Sequence, residues 1–217
     1  MKIDAFKELW FGSERGTFID SKGRTISREV DEYSKQFHTI CHNVRGFGSP
    51  HTISIVNTLL SRFIELGESY LEIGTFCGRS LIAGLQHNDI HAYVIDDHIA
   101  RGETTDLAAE FDANVSKYGL QDRITLFRQD YRAPFTTELP KIGLYYFDGP
   151  HERWDSYDGI QLFKRFLSDN SIILVDDTDR PGVMADVHDW VKETPGAELI
   201  DVLNFSDGTA VIGYKRQ

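Results

Sequence analysis

The chain has 217 residues, 41% of them hydrophobic and 26% charged, and a formal net charge of −11. That suits one α/β domain with a sizeable core. The acid excess, with no block of lysines and arginines, excludes unaided nucleic-acid binding. No apolar run approaches the length of a membrane-spanning helix, and the opening "MKIDAFKELW" lacks a secretory apolar stretch. Cys41 and Cys77 are isolated, which gives no disulfide framework and points to a reducing, cytoplasmic setting.

The first forty or so residues are polar, aromatic and punctuated by glycine. "CHNVRGFGSPH" then reads either as part of a lid or as the loop leading into a helix, with the second reading favoured. From Thr52 to Leu66, Ile53, Val56, Leu59, Leu60 and Phe63 recur at helical spacing, and Gly67 supplies a stop. Strands and helices alternate from Tyr70 onward. "SYLEIG", "HAYVID", "RITLFRQD", "KIGLYYFD" and "SIILVDD" predict five strands. "RSLIAGLQH", "DLAAEFDANVSKYG", "YDGIQLFKRFL" and "GVMADVHDWVKE" predict the helices that connect or follow them. "AELIDVLNF" and "TAVIGYKR" flank a Ser206-Asp207-Gly208 turn and predict a closing hairpin.

Such alternation implies a mostly parallel, Rossmann-like α/β sheet of seven strands with helices on both faces. The hairpin adds an antiparallel strand, and an N-terminal helical extension precedes the sheet. The expected division is an N-terminal extension over 1–51, a candidate lid, and a main domain over 52–217.

"YLEIGTFCGRS" sets Glu72, Gly74, Gly78 and Ser80 at the first strand-to-helix turn. Glycine there permits positive φ and close approach of a ligand to the backbone. A tight turn with no ligand would use the same glycines. The spacing is G-x-x-x-G, so the dinucleotide fingerprint is not met. Glu72 near the end of an apolar strand needs a partner. Asp96, 24 residues later, ends the second expected strand, and Asp130 ends the third. Asp148 ends the fourth, and Asp176 and Asp177 end the fifth. Neighbouring strand ends lie about 5 Å apart, so these acids can converge. Crowded carboxylates repel unless protonated or bridged by a cation, and oxygen ligands favour magnesium-type ions. A solvated helix cap is the bland alternative for "DD" after a strand. His151 follows Asp148 by three residues, across a Gly149-Pro150 turn, and imidazole suits a general base near neutrality.

The parallel sheet with its closing hairpin resembles the class I S-adenosylmethionine-dependent methyltransferase topology. "LEIGTFCGRS" is similar to the first motif of the catechol O-methyltransferase group. The resemblance runs from Thr52 to the C-terminus. It implies that Glu72, Gly74, Phe76, Gly78 and Ser80 serve the methionine end of S-adenosylmethionine, Asp96 the ribose and Asp130 the adenine. A side chain at position 74 would then fill ligand space. It further implies a divalent metal, magnesium in kind, at Asp148, Asp176 and Asp177, where the group often has asparagine in place of Asp177. His151 stands where relatives carry a lysine or histidine base. The expected activity is methyl transfer to a hydroxyl of a small-molecule acceptor, with homo-oligomerisation suggested by analogy. A non-catalytic S-adenosylmethionine-binding protein of this fold and a metal-independent methyltransferase are the alternatives.

Overall fold

The computed structural model describes residues 18–19, 25–26, 32–99, 105–203 and 208–217. Ser206 and Asp207 of the expected hairpin turn, and most of the first forty residues, lie outside this range. A two-residue antiparallel pairing joins Phe18–Ile19 to Thr25–Ile26. Helix α1 covers Glu32–Asn43 and α2 covers Pro50–Phe63. The helix expected from Thr52 starts earlier because Ser49 caps it, its side chain accepting the Thr52 N–H at 3.2 Å, with Pro50 in the first turn. It therefore runs through the expected 51/52 boundary.

The remaining elements follow as β1 (Ser69–Ile73), α3 (Arg79–Leu85), β2 (Ala92–Ile95), α4 (Leu107–Lys117), β3 (Ile124–Phe127) and β4 (Ile142–Phe147). After these come α5 (Asp155–Phe163), β5 (Leu167–Asp176), α6 (Pro181–Glu193), β6 (Ala197–Leu203) and β7 (Thr209–Lys215). One seven-stranded sheet runs β3-β2-β1-β4-β5-β7-β6. All neighbours are parallel except β5–β7 and β6–β7. The expected fold, hairpin included, is therefore the observed one.

Side chains alternate across the sheet as strand geometry requires. Tyr70, Leu144, Tyr146, Ile172 and Leu174 enter one core with α1 to α4, where Phe37, Ile53, Leu59, Leu81 and Phe111 pack. Leu71, Ile73, Tyr145, Phe147 and Val175 enter the other, with Ile160, Phe163 and Trp190 of α5 and α6. The sheet order reverses between β1 and β4. In open parallel sheets the crevice beyond the carboxyl ends at such a reversal is where ligands bind.

Strand boundaries differ from expectation at two places that matter. β3 ends at Phe127, where the Gln129 N–H turns back onto the Phe127 carbonyl at 3.0 Å. Asp130 is thus not a strand-end residue. β5 begins at Leu167, because the preceding helix stops at Phe163 and a single 3₁₀ turn, Lys164–Phe166, leads straight into the sheet.

Gly159 of α5 lies against the buried Phe147 ring, and a β-carbon there would overlap it. We expect Gly159→Ala to cost about 1–3 kcal/mol by overpacking. Urea unfolding measures this directly; an unchanged midpoint would mean that the ring has room to turn away.

Candidate active site at the sheet reversal

The segment between β1 and α3 carries three positive φ values: Gly74 at +80°, Phe76 at +51° and Gly78 at +88°. Such a backbone needs outside support, and Asp96 supplies it. Asp96 Oδ2 accepts the N–H groups of Thr75 and Phe76 at 2.7 and 2.8 Å, and Oδ1 accepts that of His98 at 2.7 Å. A β-carbon on Gly74 would run into the carbonyl of Asp148 and the Cα of Gly149. The requirement for glycine is thus a backbone approach between two loops.

Glu72 has no exposed surface. Its Oε1 accepts the Ser80 hydroxyl and its Oε2 the Tyr70 hydroxyl, both at 2.6 Å. Burial raises its pKa from 4.5 to about 7, against the lowering effect of those hydrogen bonds, and the nearby Asp96 charge adds to the rise. Glu72 therefore lies beneath the crevice and reaches it through Ser80.

The crevice is a cavity of about 630 Å³. Gly74, Phe76, Ser80, Asp96, Asp148, His151, Asp176 and Asp177 all line it, so eight of the eleven expected site residues share one space. Glu72, Gly78 and Asp130 do not. Gly78 backs onto the Phe111 ring. Asp130 is exposed, takes the Arg132 N–H at 2.8 Å and pairs with the Arg132 guanidinium at 3.5 Å.

At the other end, Asp148 follows β4, Asp176 ends β5 and Asp177 takes a left-handed φ of +56°. Asp176 has both oxygens engaged, by Tyr146 at 2.8 Å and Thr209 at 2.6 Å. Burial still raises its pKa. Asp177 Oδ2 lies 2.7 Å from His151 Nε2, and that hydrogen bond holds its carboxyl below the usual range. Asp148, His151 and Asp177 each present a ligand atom within 4.8 Å of the others. The structure thus groups His151, rather than Asp176, with the other two. Asp148 is pushed well up, by burial first and then by the charges of Asp176, Glu72, Asp177 and Asp96.

Several lining residues were not among the expected site residues. Gly46, Phe47 and Gly48 form one wall. Arg79 fastens that loop to α3, donating to the carbonyls of Val44, Gly48 and Cys41 at 2.8, 3.0 and 3.1 Å. "CHNVRGFGSPH" therefore serves both as a wall of the cavity and as the lead into α2. Phe47 is 84% exposed and meets Phe76 with ring centroids 5.7 Å apart. His98, whose ring packs 5.0 Å from Phe111, sits two residues past Asp96, and that adjacency could have flagged it.

The Glu72 shift has a stability consequence. The folded state holds this proton more tightly than the unfolded chain, so stability is present below pH 4.5 and falls as pH rises towards 7. A shift of this size corresponds to about 3 kcal/mol. We expect ligand-free Glu72→Gln to lack that part of the fall, read from denaturant midpoints at several pH values. Parallel curves for the two proteins would show that Glu72 stays ionised throughout.

Residues 71–178 match the methyltransferase domain family. No curated protein matches the sequence. Among solved structures, an O-methyltransferase from Bacillus cereus in complex with SAH superposes with a TM-score of 0.66 at 14% identity, covering 88% of this chain and 94% of that one. The O-methyltransferase TomG from Streptomyces achromogenes, involved in tomaymycin synthesis and solved with SAM, gives 0.60 at 13% identity, covering 87% and 92%. The SAH-bound methyltransferase PaMTH1 of Podospora anserina gives 0.61 at 18% identity, covering 99% and 94%. At these identities the likeness is one of fold. Sheet order, glycine turn and domain match together make this chain a methyltransferase of the class I, S-adenosylmethionine-dependent fold, with its methyltransferase domain over residues 71–178.

Proposed function

We propose that the protein moves the methyl group of S-adenosylmethionine to a hydroxyl of a small molecule, with His151 as base and a divalent cation at Asp148 and Asp177. The observation that carries this reading is the His151–Asp177 contact of 2.7 Å, in the same cavity as the glycine turn. The glycine turn, with Gly74, Phe76 and Ser80, forms the donor end. Asp96 keeps that turn in shape and lines the same space, where it can also accept from ribose hydroxyls. Glu72 supports the donor end from below, through Ser80.

The residues fit a cation. Two carboxylates from adjacent strand ends converge, and no hydrogen-bond donor reaches the Asp148 side chain among the described residues. The oxygen donors favour magnesium or manganese. Asp176, with both oxygens engaged, steadies the cluster through Tyr146 and Thr209. A bound cation would lower the pKa of a hydroxyl set beside it. Asp177 accepts from the Nε2–H of His151, which leaves the Nδ1 lone pair to take the acceptor's proton. The cavity walls hold the acceptor oxygen in line with the methyl carbon and sulfur, and this alignment supplies much of the rate. Asp130, on the surface, has no part in this reading.

His151→Ala should lower turnover by roughly two to four orders of magnitude and leave S-adenosylhomocysteine binding in place. Near-normal turnover in that variant would remove His151 from the mechanism. Chelation should abolish turnover, and added magnesium or manganese should restore it. Full activity in metal-free protein would leave the Asp177–His151 pair to work without a cation.

A further inference from the structure

Of the charged groups lining the cavity, five are carboxylates, Asp96, Asp148, Asp176, Asp177 and Asp179, and two are guanidinium groups, Arg79 and Arg180. Arg79 is committed to three backbone carbonyls. Arg180 is not. Its Nε stands 3.7 Å from Asp177 Oδ2, the oxygen that also faces His151. Its guanidinium makes no hydrogen bond among the described residues.

The backbone beneath Arg180 is fixed. Its N–H donates to the Asp177 carbonyl at 3.0 Å, and its own carbonyl accepts the Met184 N–H at 3.1 Å in the first turn of α6. An arginine on a fixed base, beside the proposed catalytic pair and with its planar fork unused, is suited to one class of ligand group. That fork matches a carboxylate or phosphate through two parallel hydrogen bonds.

Resting on the reading above, we infer that the acceptor carries an oxyanion, a carboxylate or a phosphate, which Arg180 binds while the hydroxyl to be methylated faces His151. Arg180 is then a specificity-determining residue. The acidic lining does not forbid an anion at this spot. Asp177 is already paired with His151, and Asp176 already accepts two hydroxyl hydrogens. A cation between Asp148 and Asp177 would reduce the local negative charge. The chain position favours the acceptor over the donor: Arg180 stands three residues past Asp177 at the end of β5, whereas the donor end is built on β1 and β2.

The test compares matched ligands on protein saturated with S-adenosylhomocysteine and magnesium. The pairs are protocatechuate against its amide, and a hexose phosphate against the free hexose; the two pairs separate carboxylate from phosphate. Calorimetric titration of wild type should show one anion binding about ten- to a hundredfold tighter than its neutral partner. Arg180→Gln should erase that preference, and Arg180→Lys should keep part of it, because charge survives and the fork does not. Equal affinity for each anion and its partner, or no measurable binding of either anion, overturns the inference. So does a loss of S-adenosylhomocysteine affinity in Arg180→Gln as large as the loss for the anion, which would assign the guanidinium to the donor's carboxylate. Turnover is read separately. An anion bound through Arg180 but never methylated sinks the O-methyl transfer reading and leaves the subsite standing. Acid and amide methylated with equal efficiency do the reverse.

Discussion

Gly74 lies against the carbonyl of Asp148 with no space for a β-carbon between them. That single approach joins the two halves of the site. The Asp148 N–H donates to the Ile73 carbonyl at 2.9 Å, and the Gly74 N–H to the Ile95 carbonyl at 3.0 Å, so three parallel strands end in register there. A side chain at 74 would push the glycine turn and the Asp148 loop apart. The glycine turn and the acidic cluster would then no longer face one cavity, whatever their own chemistry. The fold supplies the reversal point between β1 and β4, and glycine lets the two loops close on it.

The second constraint is electrostatic. Glu72, Asp96, Asp148, Asp176 and Asp177 crowd one end of a sheet, where charges are costly unless paired. The structure answers most of them individually. Asp96 takes three backbone N–H groups, Glu72 two hydroxyls, Asp176 two hydroxyls, and Asp177 the imidazole of His151. Asp148 receives no such donor among the described residues, and burial, followed by the charges of four neighbouring carboxylates, pushes its pKa up. The carboxyl left without a donor directly follows β4, one of the two strands that flank the reversal.

The fold was legible because its signals are local and repeated. Apolar runs such as "YLEI" and "SIILV" bounded by turn residues read as buried strands, and the closing hairpin followed from two such runs flanking a Ser-Asp-Gly turn. The cavity lining was legible where a residue stands at or just past a strand end, as with Gly74, Asp96, Asp148 and Asp177, which all face one space. It was not legible where side chains choose partners across the sequence. Nothing near Asp176 announces that Tyr146 and Thr209 will take its oxygens, since those partners are 30 and 33 residues away. Asp130 failed for a backbone reason: the strand that should carry it stops at Phe127, and Arg132 is close enough to claim it. Arg79 looked like an ordinary first residue of a helix, yet its three bonds reach back 31 to 38 residues.

Those Arg79 bonds also decide how the cavity can change. The loop carrying Gly46, Phe47 and Gly48 forms one wall, and its carbonyls are tied to the first residue after the glycine turn. Arg45 adds a second tie, with a bidentate hold on Glu110 and its guanidinium 4.8 Å from the centre of the Phe76 ring. Wall and turn are thus braced at two points, and a shift in one is transmitted to the other through hydrogen bonds rather than through apolar contact alone. Phe47 remains 84% exposed on that braced wall. Exposing so large an apolar side chain forgoes the roughly 1.5–3 kcal/mol that its burial would contribute. A ligand in the cavity that covered Phe47 would recover part of it. Packing of that kind would stabilise the wall in the same geometry that Arg79 and Arg45 already impose.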